Sequence, residues 1–136
     1  MPEFILDMGS SDAAREFASL DEFTQGYVEA LFFTNTGTPD DGDLEHATFA
    51  DLAPETLAAI VADCAAFQQA NAESLACDGG LPLQRAGNDF WYTRCGHGAG
   101  FWDGDWPEPH ATRLTKASEL FGNLDVYCGD DGLIYF

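Results

Sequence analysis

The stretch RCGHGAGFWDGDW, Arg94 to Trp106, gathers the residue types that do chemistry: Cys95, His97, Asp103 and Asp105, set among glycines and two tryptophans. An imidazole beside carboxylates is the pairing of a general base with its orienting group, which makes His97 with Asp103 or Asp105 a candidate acid–base pair. HGAG also shares its text with the glycine-rich oxyanion loop of esterases, yet no GxSxG nucleophile elbow occurs in the chain. As a phosphate cradle the stretch lacks the GK[ST] ending and a helix after the glycines. The aromatic segments DFWYTRC and GFWD flank the glycines, so the spacing predicts a hairpin turn displaying one histidine. Trp91, Trp102 and Trp106 read as core and loop-anchoring aromatics.

Metal chemistry is weakly signalled. Cys95, His97 and Cys128 with one further ligand are a conceivable zinc set, but the four cysteines (Cys64, Cys77, Cys95, Cys128) are widely spaced and form no CxxC pair. They read as reduced, apolar thiols. Asp40, Asp41, Asp43 and Glu45 in PDDGDLE, and Asp130 and Asp131 in GDDG, supply oxygen ligands without the D-x-D-x-D-G spacing of a calcium loop. They read as a solvated loop and a hairpin turn. His46 and His110 stand alone. No metal or cofactor site is assigned, and a small hydrolase or metal-binding protein using Cys95, His97 and Asp103 is the alternative reading.

The elements that must position these residues follow from periodicity. SLDEFTQGYVEALFFT opens with a capping box, Ser19 with Glu22, and places Leu20, Phe23, Tyr27, Ala30 and Leu31 at helical spacing. NTGTPDDGD breaks that helix. A longer one is expected from about Pro54 to about Cys77, with Leu57, Ile60, Val61, Cys64, Phe67 and Leu75 as its apolar stripe. Past Gly80 the reading changes to strands. DFWYTRC and GFWD form one predicted hairpin, LDVYC and LIYF around GDDG another, with a short helix over TRLTKASELFG between them, its apolar positions Leu114, Ala117, Leu120 and Phe121. The expected fold is α+β: N-terminal helices packed on a C-terminal, mainly antiparallel four-stranded sheet of two hairpins, with Phe90, Tyr92, Val126 and Ile134 in strands. Residues 1–136 are read as a single domain.

Charge is the outlying property: 24 acidic residues stand against five basic ones, net −19, and Lys116 is the one lysine. Thirteen of the acidic residues fall in residues 1–60 against a single base, Arg15, so the field is strongest at the front. Such a field repels nucleic acid and anionic membranes and attracts basic protein surfaces. No apolar run approaches a membrane span, and the N-terminus lacks the form of a signal peptide, so a cytosolic protein is expected.

GHGAGFWD, LTKASELFG and VYCGDDGLIYF together resemble a group of small acidic proteins encoded by bacteriophages and prophages. The likeness covers about the last third of the chain, and more faintly LDEFTQGYVEALFF. It implies a setting in the host cytosol among proteins that include anti-CRISPR and anti-restriction inhibitors, some of which imitate DNA with carboxylates. No catalytic residue comes with it. The expectation is therefore a non-enzymatic inhibitor that binds a basic, nucleic-acid-binding host defence protein. Its expected partner-binding residues are Asp21, Glu22, Glu29, Asp40, Asp41, Asp43, Glu45, Asp51, Glu55 and Asp63. The aromatic C-terminal part is a candidate homodimer surface, and a phage structural protein without a site is a further alternative.

Overall fold

The computed structural model describes residues 6–35, 47–96 and 99–136. Its elements are α1 (Ser11–Ser19), α2 (Glu22–Asn35), a 3-10 turn (Phe49–Asp51), α3 (Pro54–Ala70), α4 (Ala72–Leu75), α5 (Leu83–Cys95), α6 (His110–Glu119), β1 (Tyr127–Cys128) and β2 (Ile134–Tyr135). The described chain is thus mostly helical, with one two-stranded antiparallel ribbon.

That corrects the expected four-stranded sheet. DFWYTRC lies inside α5, so Phe90 and Tyr92 are helical, and GFWD is a run of turns and bends. Aromatic residues favour strands only where a pleated, half-buried surface receives them. Here the buried positions of α5 are Ala86, Gly87, Asp89, Phe90, Trp91, Thr93 and Arg94, which recur at helical three- and four-residue spacing and do not alternate. The second hairpin exists in shortened form: Tyr127 pairs with Tyr135 and Cys128 with Ile134, while Val126 precedes the ribbon. Its turn closes with the Gly132 N–H donating to the Gly129 carbonyl at 3.0 Å, Gly132 taking φ +80°.

Helix starts follow local chemistry. The Ser10 hydroxyl accepts from the Ala13 N–H at 3.1 Å and caps α1, an element with no counterpart in the sequence reading. Asp21, not Ser19, caps α2, accepting from the Thr24 N–H at 2.8 Å. Ser19 is the last residue of α1, and its hydroxyl turns back to the Glu16 carbonyl at 2.6 Å. Pro54 opens α3 as expected, but the helix stops at Ala70. The Asn71 side chain donates to the Phe67 carbonyl at 2.9 Å, a local bond that competes with helix continuation, and α4 is a separate turn.

Two glycines set the closest helix approach. A Cβ on Gly26 of α2 would collide with the Gln84 carbonyl of α5, and one on Gly87 of α5 with the Phe23 carbonyl of α2. The Asn88 amide spans this crossing, donating to the Gly26 carbonyl at 2.6 Å. Around it lies an aromatic core in which the Phe67 ring of α3 stacks on Phe90 at 4.2 Å and meets Phe23 at 5.7 Å and Phe101 at 5.8 Å. Ile60, Cys64 and Phe67 complete the buried face of α3, whereas Val61 is 40% exposed and belongs to its outer side. Leu114 of α6 is buried, but Leu120, expected on the same face, stands 88% exposed just past the helix end. The ribbon docks on the start of α3 through the Ile134 carbonyl, which accepts from the Thr56 hydroxyl at 2.8 Å and the Ala53 N–H at 3.2 Å.

Candidate functional site

Helix α5 ends at Cys95, and Gly96 caps it in the left-handed region at φ +69°. His97 and Gly98 lie outside the described residues. Beyond them the chain folds back onto α5. The Thr93 hydroxyl accepts from the Phe101 N–H at 3.1 Å, Phe101 and Trp106 are buried edge to face at 5.4 Å, and Asp103 accepts from the Gly100 N–H at 3.3 Å. The loop is thus built on a helix, and its folding is explained by Phe101 and Trp106 as anchors.

Cys95 and Asp103 meet different surroundings. Burial pushes the Cys95 thiol up, with the Leu124 N–H bond pulling the other way, so the sulfur is held as the thiol and not as the nucleophilic thiolate. Asp103 serves the turn at Gly100. Among the described residues no group of three or more His, Cys, Asp and Glu side chains is arranged to hold a metal ion.

The titratable group that stands out is one the sequence did not signal. Asp89 of α5 is 8% exposed and accepts from the Trp106 indole N–H at 2.8 Å. Burial raises its carboxyl to about 6; the indole bond lowers it, Asp103 raises it, Arg85 lowers it and Asp105 raises it again. The ordinary value is 3.8, so the folded state holds this proton more tightly than the unfolded one. The stability this contributes is fully present below the unfolded value and is lost as pH rises through about 6. Asp89→Asn keeps an acceptor for the indole without the charge. Its unfolding free energy should exceed that of the parent by on the order of 1–2 kcal/mol at neutral pH, the difference shrinking to nothing near pH 4. A pH series of denaturant unfolding checks this, and a difference that is flat with pH would refute it.

Of the ten expected partner-binding carboxylates, six fall among the described residues. Asp40, Asp41, Asp43 and Glu45 lie outside the described residues. Asp21 caps α2 and also accepts from the Gln68 amide of α3 at 3.1 Å. Burial pushes its carboxyl up, and bonds from Thr24 and Gln68 outweigh that and hold it below the ordinary range. Glu29 accepts from the Gln84 amide of α5 at 2.6 Å, and Asp51 from the Thr48 N–H at 2.8 Å. Asp63 pairs with Arg94 at 2.9 Å. Glu22 and Glu55 stand exposed at the starts of α2 and α3. Several of these groups therefore have a local structural task alongside their charge.

No family model, curated protein or solved structure matches the chain. Among the described residues two ion pairs form, Arg15 with Asp12 and Arg94 with Asp63. The Arg94 guanidinium is buried, and its nitrogens also donate to the Tyr27 hydroxyl at 3.1 Å and to the Gly122 and Phe121 carbonyls at 2.8 Å each. One of the chain's five cations is therefore used up inside the fold. Among the described residues Arg85, Arg113 and Lys116 make no ion pair, so most of the described carboxylates lack direct contact with a base. No helix among the described residues is long and apolar enough to cross a membrane.

Proposed function

We propose that the chain works by binding, as an acidic ligand that occupies the nucleic-acid-binding face of a basic protein, in the manner of a phage-type inhibitor of host defence. The observation that supports this most is the uncompensated charge: 24 acidic residues, of which Asp12 and Asp63 alone are seen in ion pairs among the described residues. A duplex presents one negative charge per about 1.7 Å of axis, and proteins that hold it line a channel with lysine and arginine. Carboxylates three or four residues apart on a helix stand roughly 5–6 Å from one another, a spacing that such a channel accepts. Capped helices crossing at Gly26 and Gly87 make a stiff support, so little ordering entropy is lost when the surface docks.

The test is competition. Purified nucleic-acid-binding defence complexes are mixed with labelled duplex DNA and increasing amounts of the chain. The expected result is displacement of the DNA by a direct complex with the protein. Failure to displace DNA from any such complex at low salt, where the attraction is strongest, would remove the proposal.

A further inference from the structure

Three tryptophans share the chain, and they are not alike. Trp91 and Trp106 are 1% and 3% exposed, whereas Trp102 is 54% exposed. Trp102 is also firmly seated, since the neighbouring Phe101 is buried, the Gly100 and Phe101 N–H groups are both bonded, and Trp106 is tied to Asp89. Its indole forms one wall of a cleft of about 210 Å³ whose other wall is helix α6, with Glu108, Thr112, Lys116 and Glu119 among the lining residues.

The charges around that cleft define what fits. Glu108 and Glu119 line it, and Asp103 and Asp105 are exposed on the loop that carries Trp102, against one ammonium, Lys116. Glu108 accepts from the Thr112 hydroxyl at 2.8 Å and the Thr112 N–H at 2.9 Å, bonds that fix it at the cleft and hold its carboxyl below the ordinary range. An anionic or phosphorylated ligand would meet carboxylates on both sides. A cation meets an indole and carboxylates together, and a guanidinium suits both, since its plane stacks on an aromatic ring while its N–H fork addresses a carboxylate.

We propose that the cleft between Trp102 and α6 captures an arginine side chain of the basic partner, the guanidinium lying on the indole face with Glu119 and Glu108 as its carboxylate acceptors. The proposal rests on the reading of the chain as a ligand for a basic protein, and adds to it an aromatic anchor in the C-terminal half. Lys116 opposes any cation in the cleft, so the indole and the two carboxylates together must outweigh its charge.

The probe is a short peptide of alternating arginine and glycine, with its glutamine counterpart as control. Tryptophan fluorescence is followed with acrylamide, a neutral quencher that reaches the exposed indole. The arginine peptide should protect the Trp102 emission and the glutamine peptide should not. Trp102→Ala should weaken binding of the arginine peptide roughly 3- to 30-fold. Glu119→Gln, which leaves every buried contact in place, should weaken it less, and Lys116→Gln should tighten it. If the peptide binds but Trp102→Ala and Glu119→Gln bind it as tightly as the parent, the cleft proposal is overturned and the acidic-ligand reading stands. If the parent ignores the peptide yet still displaces DNA from its protein, the cleft proposal again falls alone. If it does neither, both fall.

Discussion

Gly87→Ala is expected to cost the protein at least about 3 kcal/mol of stability, enough to leave a marginal fold largely unfolded. The added methyl would occupy the place of the Phe23 carbonyl oxygen and crowd the Tyr27 N–H, both backbone groups that cannot rotate away. The helices must then separate, and separation loosens everything stacked at the crossing: the Phe23–Phe90 and Tyr27–Phe90 ring contacts at 5.9 and 5.4 Å and the Asn88 bond to the Gly26 carbonyl. Gly26→Ala should behave alike, because its methyl meets the Gln84 carbonyl. An exposed glycine with open space around it, Gly104, is the control for alanine substitution as such, although its φ of +107° adds a smaller strain of its own. Thermal and denaturant unfolding read all three. Near-parental stability of Gly87→Ala would show that α2 and α5 do not cross this closely.

Arg94→Met is expected to be the next most damaging change, by about 3–5 kcal/mol. Methionine fills the length of the arginine stem, so the loss is mainly of hydrogen bonds and charge. The Phe121 and Gly122 carbonyls and the Tyr27 hydroxyl would each lose a donor, and the guanidinium contacts over the Phe90 and Phe121 rings, both at 5.5 Å, would go. The Asp63 side chain is 35% exposed, so water can solvate the carboxylate left behind and the carbonyls account for more of the loss than the ion pair does. Asp63→Asn alone should therefore cost much less than Arg94→Met. Equal costs in urea unfolding would mean that the ion pair to Asp63 of α3, not the clamp on the Phe121 and Gly122 carbonyls, carries the contribution of Arg94.

These two sites show what could be read in the sequence and what could not. Helix α3 was legible because Pro54 marks its start and Ile60, Cys64 and Phe67 repeat at helical spacing. The GDDG turn was legible because aspartate and glycine have few other uses between two apolar pairs. Helix α5 was not, because its interior residues run against the usual helical pattern even though Gly96 closes it as a helix. Its interior holds Gly87, its buried stripe includes the polar Asp89, Thr93 and Arg94, and its aromatic triplet Phe90, Trp91 and Tyr92 reads as a strand. The meaning of each lies in a partner far along the chain: Phe23 for Gly87, Trp106 for Asp89, Phe121 and Gly122 for Arg94. The same holds for the candidate site. Net charge is plain from composition, but the engagement of Asp21 with Gln68, Glu29 with Gln84 and Asp63 with Arg94 depends on tertiary contacts that no local spacing encodes. Trp102 and Trp106 are likewise alike in sequence context and opposite in exposure.

The claim that charge carries the function is tested most directly by the salt dependence of the constant measured in the DNA competition, for the parent and for a variant with Asp40, Asp41 and Asp43 changed to Asn and Glu45 to Gln. The expected result for the parent is an affinity that falls roughly tenfold or more between low and physiological salt, since exposed ion pairs are screened over about 8–10 Å. The variant should bind more weakly at low salt and lose affinity less steeply as salt is added. An affinity indifferent both to salt and to the four substitutions would contradict the account.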